Sequence, residues 1–472
     1  SRKSRILVTL PSQAADDAAL VRELVRRGMD AARINCAHDD EAAWARMIAH
    51  VRRAAADLGR SCRVLMDLPG PKLRTGALAP GPEVVKLKPR RDALGRVLAP
   101  ARAWLGDAGG APDEGVKSLP VDATWAARRR VGTRIAVSDA RGKSRQLLVV
   151  DTRAGGVLVE ARATTYLMSG MRIAAGGDET RLGMLPPVEA PLVLRPGDTL
   201  VVTRDPAPGG AGSPPRIPCT LPSVFGSVRR GERILFDDGA IAGRIAEVGR
   251  EQLTVTIVDA DRKGSKLRAD RGINLPDTRL ELPAFAADDD RDLAFIAKHA
   301  DLVGHSFVRR PADVLALQER LEALGRRDLG VVLKIETRDA FEHLPELLLA
   351  AMRRPVVGVM IARGDLAVEC GWERLAELQE EILWICEAAH LPVIWATQVL
   401  EQLAKTGRPS RAEITDAAMA GRAECVMLNK GAHLVDAVEV LDDILRRMDG
   451  HQTKKRSMLR SLALAARFDP HP

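Results

Sequence analysis

Residues 331–369 constrain this chain more than any other stretch. They hold two short apolar runs, Val331-Val332-Leu333 and 356–361, with a helical pattern between them over about 338–352. Each run breaks abruptly into charge, the first at Lys334-Ile335-Glu336 and the second at Ala362-Arg363-Gly364-Asp365. A parallel strand buried on both faces reads this way, apolar until its last residues. Two such strands joined by a helical crossover carry their charged ends to one edge of a sheet or barrel. One cation and two carboxylates there, Lys334, Glu336 and Asp365, suit a hydrated divalent metal with a phosphate beside it. A buried ion pair with a capping Asp is the competing reading of the stretch on its own.

The rest of the chain supplies the frame. Strand-like runs at 6–10, 31–34 and 63–67 alternate with helical patterns at 16–27 and 41–58. From 77 to 271 long helical patterns vanish, and short β-type runs broken by Gly and Pro turns replace them. From 272 the alternation returns. Strands are expected at 302–307, in the two runs already described, at 391–395 and at 425–428. Helices are expected at 288–299, 311–324, 398–404, 411–420 and 434–448. Three strands before the insert and five after it make eight. The sequence therefore predicts a (β/α)8 TIM barrel from 1–76 and 272–472, with a β-rich lid domain, 77–271, inserted after the third strand as one or two β modules. An open doubly wound sheet is the alternative.

Composition narrows the function. At 472 residues the chain exceeds one ordinary domain. Only 3% of residues are aromatic, so the core is aliphatic, and this argues against a stacking platform for single-stranded nucleic acid. The net charge of +8 favours anionic small molecules. The small clusters Arg128-Arg129-Arg130 and Lys454-Lys455-Arg456 read as solvated basic surface, so no nucleic-acid partner is expected. Six dispersed cysteines without a C-x-x-C pair read as reduced, buried thiols. No run reaches transmembrane length and no signal-peptide pattern opens the chain, so the expectation is a cytoplasmic protein without a membrane partner.

In a barrel the site lies at the carboxyl ends of the strands. Those ends carry Arg33 with Asn35, Asp67, Ser306 with Phe307, Lys334 with Glu336, Arg363 with Asp365, Thr397, and Asn429 with Lys430. Seven polar ends in phase are hard to explain as solvation. Two carboxylates, Glu336 and Asp365, suffice for Mg²⁺, which keeps several waters. A phosphoryl group in transfer spreads charge over its oxygens, so cations should surround it. Lys334 is a point charge, and Arg33 and Arg74 offer planar bidentate contacts. Gly364 lets backbone N–H groups approach a carboxylate at a helix start. Thr397 can hold a water or relay a proton. The bland alternatives are an Arg33–Asp67 structural pair, a structural or interface role for Arg363, an N-cap role for Thr397, a capping or packing His38, and core positions for Cys36 and Cys425.

Eight segments carry a resemblance: GMDAARINCAH (28–38), MDLPGPKLRTG (66–76), LFDDG (235–239), RGINLP (271–276), LKIET (333–337), IARGDLAVE (361–369), IWATQVLE (394–401) and RPSRAEITDAA (408–418). In this order they resemble the pyruvate kinase family, in a short form that stops before the C-terminal allosteric domain and carries an enlarged insert. The resemblance implies a glycolytic transferase making pyruvate and ATP from phosphoenolpyruvate and ADP, with Mg²⁺ (or Mn²⁺) as cofactor and a homo-oligomer formed through the barrel. It implies that Arg33 contacts the phosphoryl group and that Arg74 and Arg271 lie near the nucleotide phosphates. Lys334 would stabilise the phosphoryl in flight, and Glu336 and Asp365 would bind the metal. Backbone N–H groups of Ala362, Gly364 and Asp365 would receive the substrate carboxylate, and Thr397 would sit beside the enolate. The alternatives are a lyase or aldolase acting on pyruvate-like enolates, and a weakly active effector-binding relative.

The departures concern the family's monovalent-cation region. Asn35 and Asp67 remain, but Ala37 and Leu68 stand where hydroxyl residues are usual, and Lys72 replaces a Glu. A lysine ammonium there would stand in for K⁺, so K⁺-independence is expected. Pro69 replaces a Lys, and MLNKGAH (427–433) replaces a Ser-Gly-Glu run.

Overall fold

The computed structural model describes residues 2–107, 116–280, 282–286 and 288–452; the basic run at 454–456 lies outside them. Eight parallel strands close into a barrel in chain order. They are Arg5–Thr9, Ala31–Asn35, Arg63–Asp67, Leu302–His305, Gly330–Ile335, Val357–Ala362, Val393–Ala396 and Cys425–Leu428.

The strand period of two divides the core into two layers. One set of side chains fills the barrel interior: Leu7, Leu65, Val332, Met360, Ile394 and Met427. The alternate set, including Ile6, Val64, Leu333 and Ile361, packs outward against Leu24, Met47, Ile296, Leu348 and Leu378 of the surrounding helices. Two residues beyond the interior Leu7, Leu65 and Val332 stand Thr9, Asp67 and Lys334. The same periodicity that fills the barrel therefore aims these polar groups along its axis.

Several element boundaries differ from the sequence reading. The fourth strand stops at His305, because Phe307 has left-handed backbone (φ 54). The helix expected over 338–352 is two helices, Arg338–Glu342 and Leu344–Ala351. Pro345 causes the break, since a residue without an N–H fits only a first turn. The helix expected at 398–404 is Glu401–Thr406, because Thr397, Gln398 and Leu400 all have positive φ.

Two compact units partition the chain. The first comprises 1–76, 193–207 and 213–472; the second comprises 77–192 and 208–212. The division falls inside the β-rich stretch 77–271 and not at both its ends. Within the first unit, a six-stranded sheet includes Thr199–Thr203, Arg216–Pro218, Arg233–Phe236 and Ile273–Asn274. Bridges from Arg74 to Gly272 and from Thr75 to Cys219 tie it to the segment leaving the third barrel strand. The second unit is built on a seven-stranded sheet with its own core of Trp125, Ile135, Leu147, Val159 and Ile173. Among the described residues no helix is long and apolar enough to cross a membrane.

One buried group gives this fold a pH signature. His305 is 1% exposed and stacks on Phe285, with ring centroids 5.3 Å apart. Burial pushes its pKa down to about 4. The unfolded chain then binds a proton that the folded chain refuses, so stability is lost as pH falls from about 6.5 toward 4. The contribution is about 3 kcal/mol across that window. Urea unfolding of wild type and His305→Phe at pH 7.5 and pH 4.5 checks it: the variant should lose less stability on acidification by roughly that amount.

Candidate active site

Asp67 is the centre of the polar layer and is fully buried. Its Oδ2 accepts from Arg33 Nε at 2.8 Å and lies 3.2 Å from Lys334 Nζ. Burial pushes its carboxyl upward, but the two cations outweigh burial and hold its pKa below the ordinary range. Arg33 is fixed from the other side by Thr9, whose Oγ1 accepts from the guanidinium at 3.1 Å and meets Asn429 Oδ1 at 3.3 Å.

Lys334 closes the network. Its ammonium donates to Ser306 Oγ at 2.7 Å and pairs with Glu336 at 3.0 Å. Burial alone would lower its pKa, yet the Asp67 and Glu336 carboxylates raise it, so it stays charged. Glu336 accepts from the Phe307 N–H at 2.6 Å. Burial raises its pKa; Lys334 opposes this and Asp365 adds to it.

Asp365 lies in the first turn of the helix Arg363–Cys370, which follows directly on the sixth strand. Lys72 Nζ pairs with it at 3.0 Å and stands over the Phe307 ring, 5.5 Å from its centroid. Gly364 N–H donates to Thr397 Oγ1 at 2.9 Å. Thr397 therefore caps the neighbouring helix and not the one that follows it, which corrects the N-cap alternative. Arg363 is buried and bonds the Ala396 carbonyl at 3.0 Å and Asp416 at 2.6 Å. Its role is to lock the sixth and seventh strand ends together.

Arg74 and Arg271 meet at the edge of the six-stranded sheet. Arg271 N–H donates to Thr75 Oγ1, and Thr75 N–H to the Arg271 carbonyl, each at 2.8 Å. Their guanidinium groups face Asp270 and Asp237 at 3.4 and 3.3 Å. Asn35 aligns with Asp67 in the sheet register, but its side chain accepts from Ala37 N–H at 3.2 Å. His38 is exposed; partial burial and the nearby Lys430 lower its pKa.

Among the described residues no group of three or more His, Cys, Asp or Glu could enclose a metal. The two converging carboxylates, Glu336 and Asp365, are an all-oxygen pair of the kind a hard divalent cation takes when water and substrate complete its shell.

Residues 1–94 and 157–434 match the family described as pyruvate kinase, barrel domain. The chain belongs to the pyruvate kinase family. It is 33% identical to pyruvate kinase PKLR of Homo sapiens over 318 residues, which is 65% of this chain and 53% of that protein. It is 32% identical to a pyruvate kinase of Bacillus licheniformis over 263 residues, 54% of this chain and 43% of that protein. The chain thus spans about half the length of the curated relatives it matches.

Measured against this pyruvate kinase barrel, sequence reasoning passed over two residues. Thr9 ends the first strand, the one strand whose last residue was not counted; extending the interior period from Leu7 finds it. Gly304 is the other. A Cβ there would lie 2.0 Å from Asp67 Oδ1, so only glycine leaves room for the central carboxylate. Gly304→Ala should therefore lower stability by about 3 kcal/mol, combining overpacking with a displaced buried charge. Thermal unfolding of the purified variant is the check; an unchanged transition would contradict the packing argument.

Proposed function

We propose that the protein transfers a phosphoryl group from phosphoenolpyruvate to ADP, giving pyruvate and ATP, as a cytoplasmic glycolytic enzyme. The observation that carries this reading is Lys334, an ammonium kept charged in a buried site by Asp67, Glu336 and Ser306. A fixed cation in a water-poor cavity stabilises charge spread over a transferring phosphoryl group far better than it would in water.

The other residues take roles consistent with their positions. Arg33, clamped by Thr9 and Asp67, presents its guanidinium to the phosphoryl oxygens. Glu336 and Asp365 would hold Mg²⁺ (or Mn²⁺), which when bound neutralises phosphoryl and enolate oxygens. Backbone N–H groups at Ala362, Gly364 and Asp365, at the start of a helix, would bind the substrate carboxylate, Gly364 by exchanging its bond to Thr397 Oγ1 for the substrate. Thr397, whose Oγ1 faces this helix start, would deliver a proton to the enolate carbon. Arg74 and Arg271 would steady the nucleotide phosphates, with the six-stranded sheet excluding water over them. We also propose a homo-oligomer formed through the barrel.

K⁺-independence follows from the charges. Asp67 already faces two cations, Ala37 and Leu68 offer no side-chain oxygen, and Lys72 brings its side chain onto Asp365 in the site. ATP formation from phosphoenolpyruvate and ADP should therefore proceed with Mg²⁺ in Na⁺ or K⁺ at equal ionic strength, with rates that agree within about twofold. A large stimulation by K⁺ would contradict the role given to Lys72. In the same assay Lys334→Met should lose about 10³-fold in kcat, the loss typical of a transition-state cation. A variant that retains near-normal turnover would overturn the reading.

A further inference from the structure

The segment 68–76 carries Lys72 and Arg74. Leu68 N–H donates to the Gly304 carbonyl of the fourth strand at 3.0 Å, and the turn beyond it is held at Gly70. Gly70 has left-handed backbone (φ +67), and its peptide is bonded on both sides. Its carbonyl accepts from Lys72 N–H at 2.8 Å, and its N–H donates to Asp289 Oδ1 at 3.3 Å. A Cβ on Gly70 would lie 3.0 Å from the Ser306 carbonyl oxygen and 3.2 Å from the Phe307 ring. The turn therefore rests directly on the residues that bond Lys334 and Glu336.

Asp289 is a costly residue to keep there. It is 1% exposed, no cation pairs with it among the described residues, and Asp290 and Asp292 are close like charges. Burial raises its pKa, with the Ala286 and Gly70 N–H groups opposing that rise. Its second oxygen accepts from Ala286 N–H at 2.6 Å, a local contact at the start of the helix Asp289–His299. A Ser or Asn could accept that single N–H without burying a charge. The contact to Gly70, more than two hundred residues away in sequence, is what the carboxylate adds.

We propose that Asp289 is a positioning residue: through Gly70 it presses the Pro69-Gly70-Pro71 turn onto Ser306 and Phe307 and so sets the Lys72 ammonium on Asp365. The inference rests on the assignment of Asp365 as a metal ligand. Lys72 and a divalent cation share one carboxylate, so the placement of Lys72 tunes metal affinity.

A double-mutant cycle tests this on the full chain, with Mn²⁺ binding followed by electron paramagnetic resonance of the free ion. Wild type, Asp289→Asn, Lys72→Met and the double variant are compared without substrates, and thermal unfolding of each is recorded. Asp289→Asn should tighten Mn²⁺ binding by about fivefold, the loss of one competing ion pair. Lys72→Met should tighten it at least as much, and Asp289→Asn should add nothing in the Lys72→Met background. Gly70→Ala reaches the same turn from the other side and should behave like Asp289→Asn, which covers the case of an Asp289 variant that does not fold. Unchanged Mn²⁺ affinity in Asp289→Asn, or the same shift with and without Lys72, overturns the proposal and leaves Asp289 a partner of Ala286 and Gly70 alone. Absence of Mn²⁺ binding in wild type overturns it together with the metal assignment. A complete cycle in a protein that makes no ATP overturns the reaction and not the positioning.

Discussion

One buried carboxylate governs the top of this barrel. Asp67 has no exposure, and the two cations on its Oδ2 come from the second and fifth strands, on opposite sides of it in the sheet order. Such a cluster gives little net stability, because desolvation offsets much of the attraction. Its effect is positional. Removing any member leaves an uncompensated charge in a dry interior, so the strand ends must keep one relative height. Thr9, Ser306 and Glu336 are held in place through their bonds to Arg33 and Lys334. The chemistry proposed above draws on this rigidity more than on any single contact.

The barrel and half of the site were legible because both follow from a period of two. Apolar runs ending in charge located Lys334, Glu336 and Asp365, and the carboxyl ends of the second and third strands located Arg33 and Asp67. What stayed hidden was defined by missing atoms or by distance along the chain. Gly304 matters only through the Cβ it lacks, and nothing in its neighbours, Val303 and His305, marks it. Asp289 stands in an ordinary acidic helix start, and its partner Gly70 belongs to a different part of the chain. Thr397 was found, but its direction was not. Three positive-φ residues turn it toward the preceding strand's helix, and no sequence rule forecasts a run of such backbone at non-glycine positions.

The β-rich stretch was legible as a class and not as a partition. Both halves of 77–271 use short strands and Gly and Pro turns, so composition does not separate them. Pairing does. Leu235 aligns with Asn274 and Phe236 with Ile273, which attaches the later strands to the segment that re-enters the barrel. The earlier strands close on their own core around Trp125 and Leu147. Part of that earlier region, 95–156, lies outside the match to the pyruvate kinase barrel. The match does not follow the partition, since Thr165–Met168 and Arg172–Ala175 of the second unit lie inside it.

The connection from Asp67 to Gly76 has a consequence for how this chain can diverge. It begins at the central carboxylate, touches the fourth strand's end at Gly70, reaches Asp365 at Lys72, and joins the six-stranded sheet at Arg74 and Thr75. Four anchor points in nine residues leave no slack. Its side chains can be exchanged, but inserting or deleting a single residue would slide every later anchor off its partner. Between Ala77 and Leu192, in contrast, the chain has accepted a whole compact unit. Natural variation here should therefore appear as substitution on one side of Gly76 and as changes of length on the other.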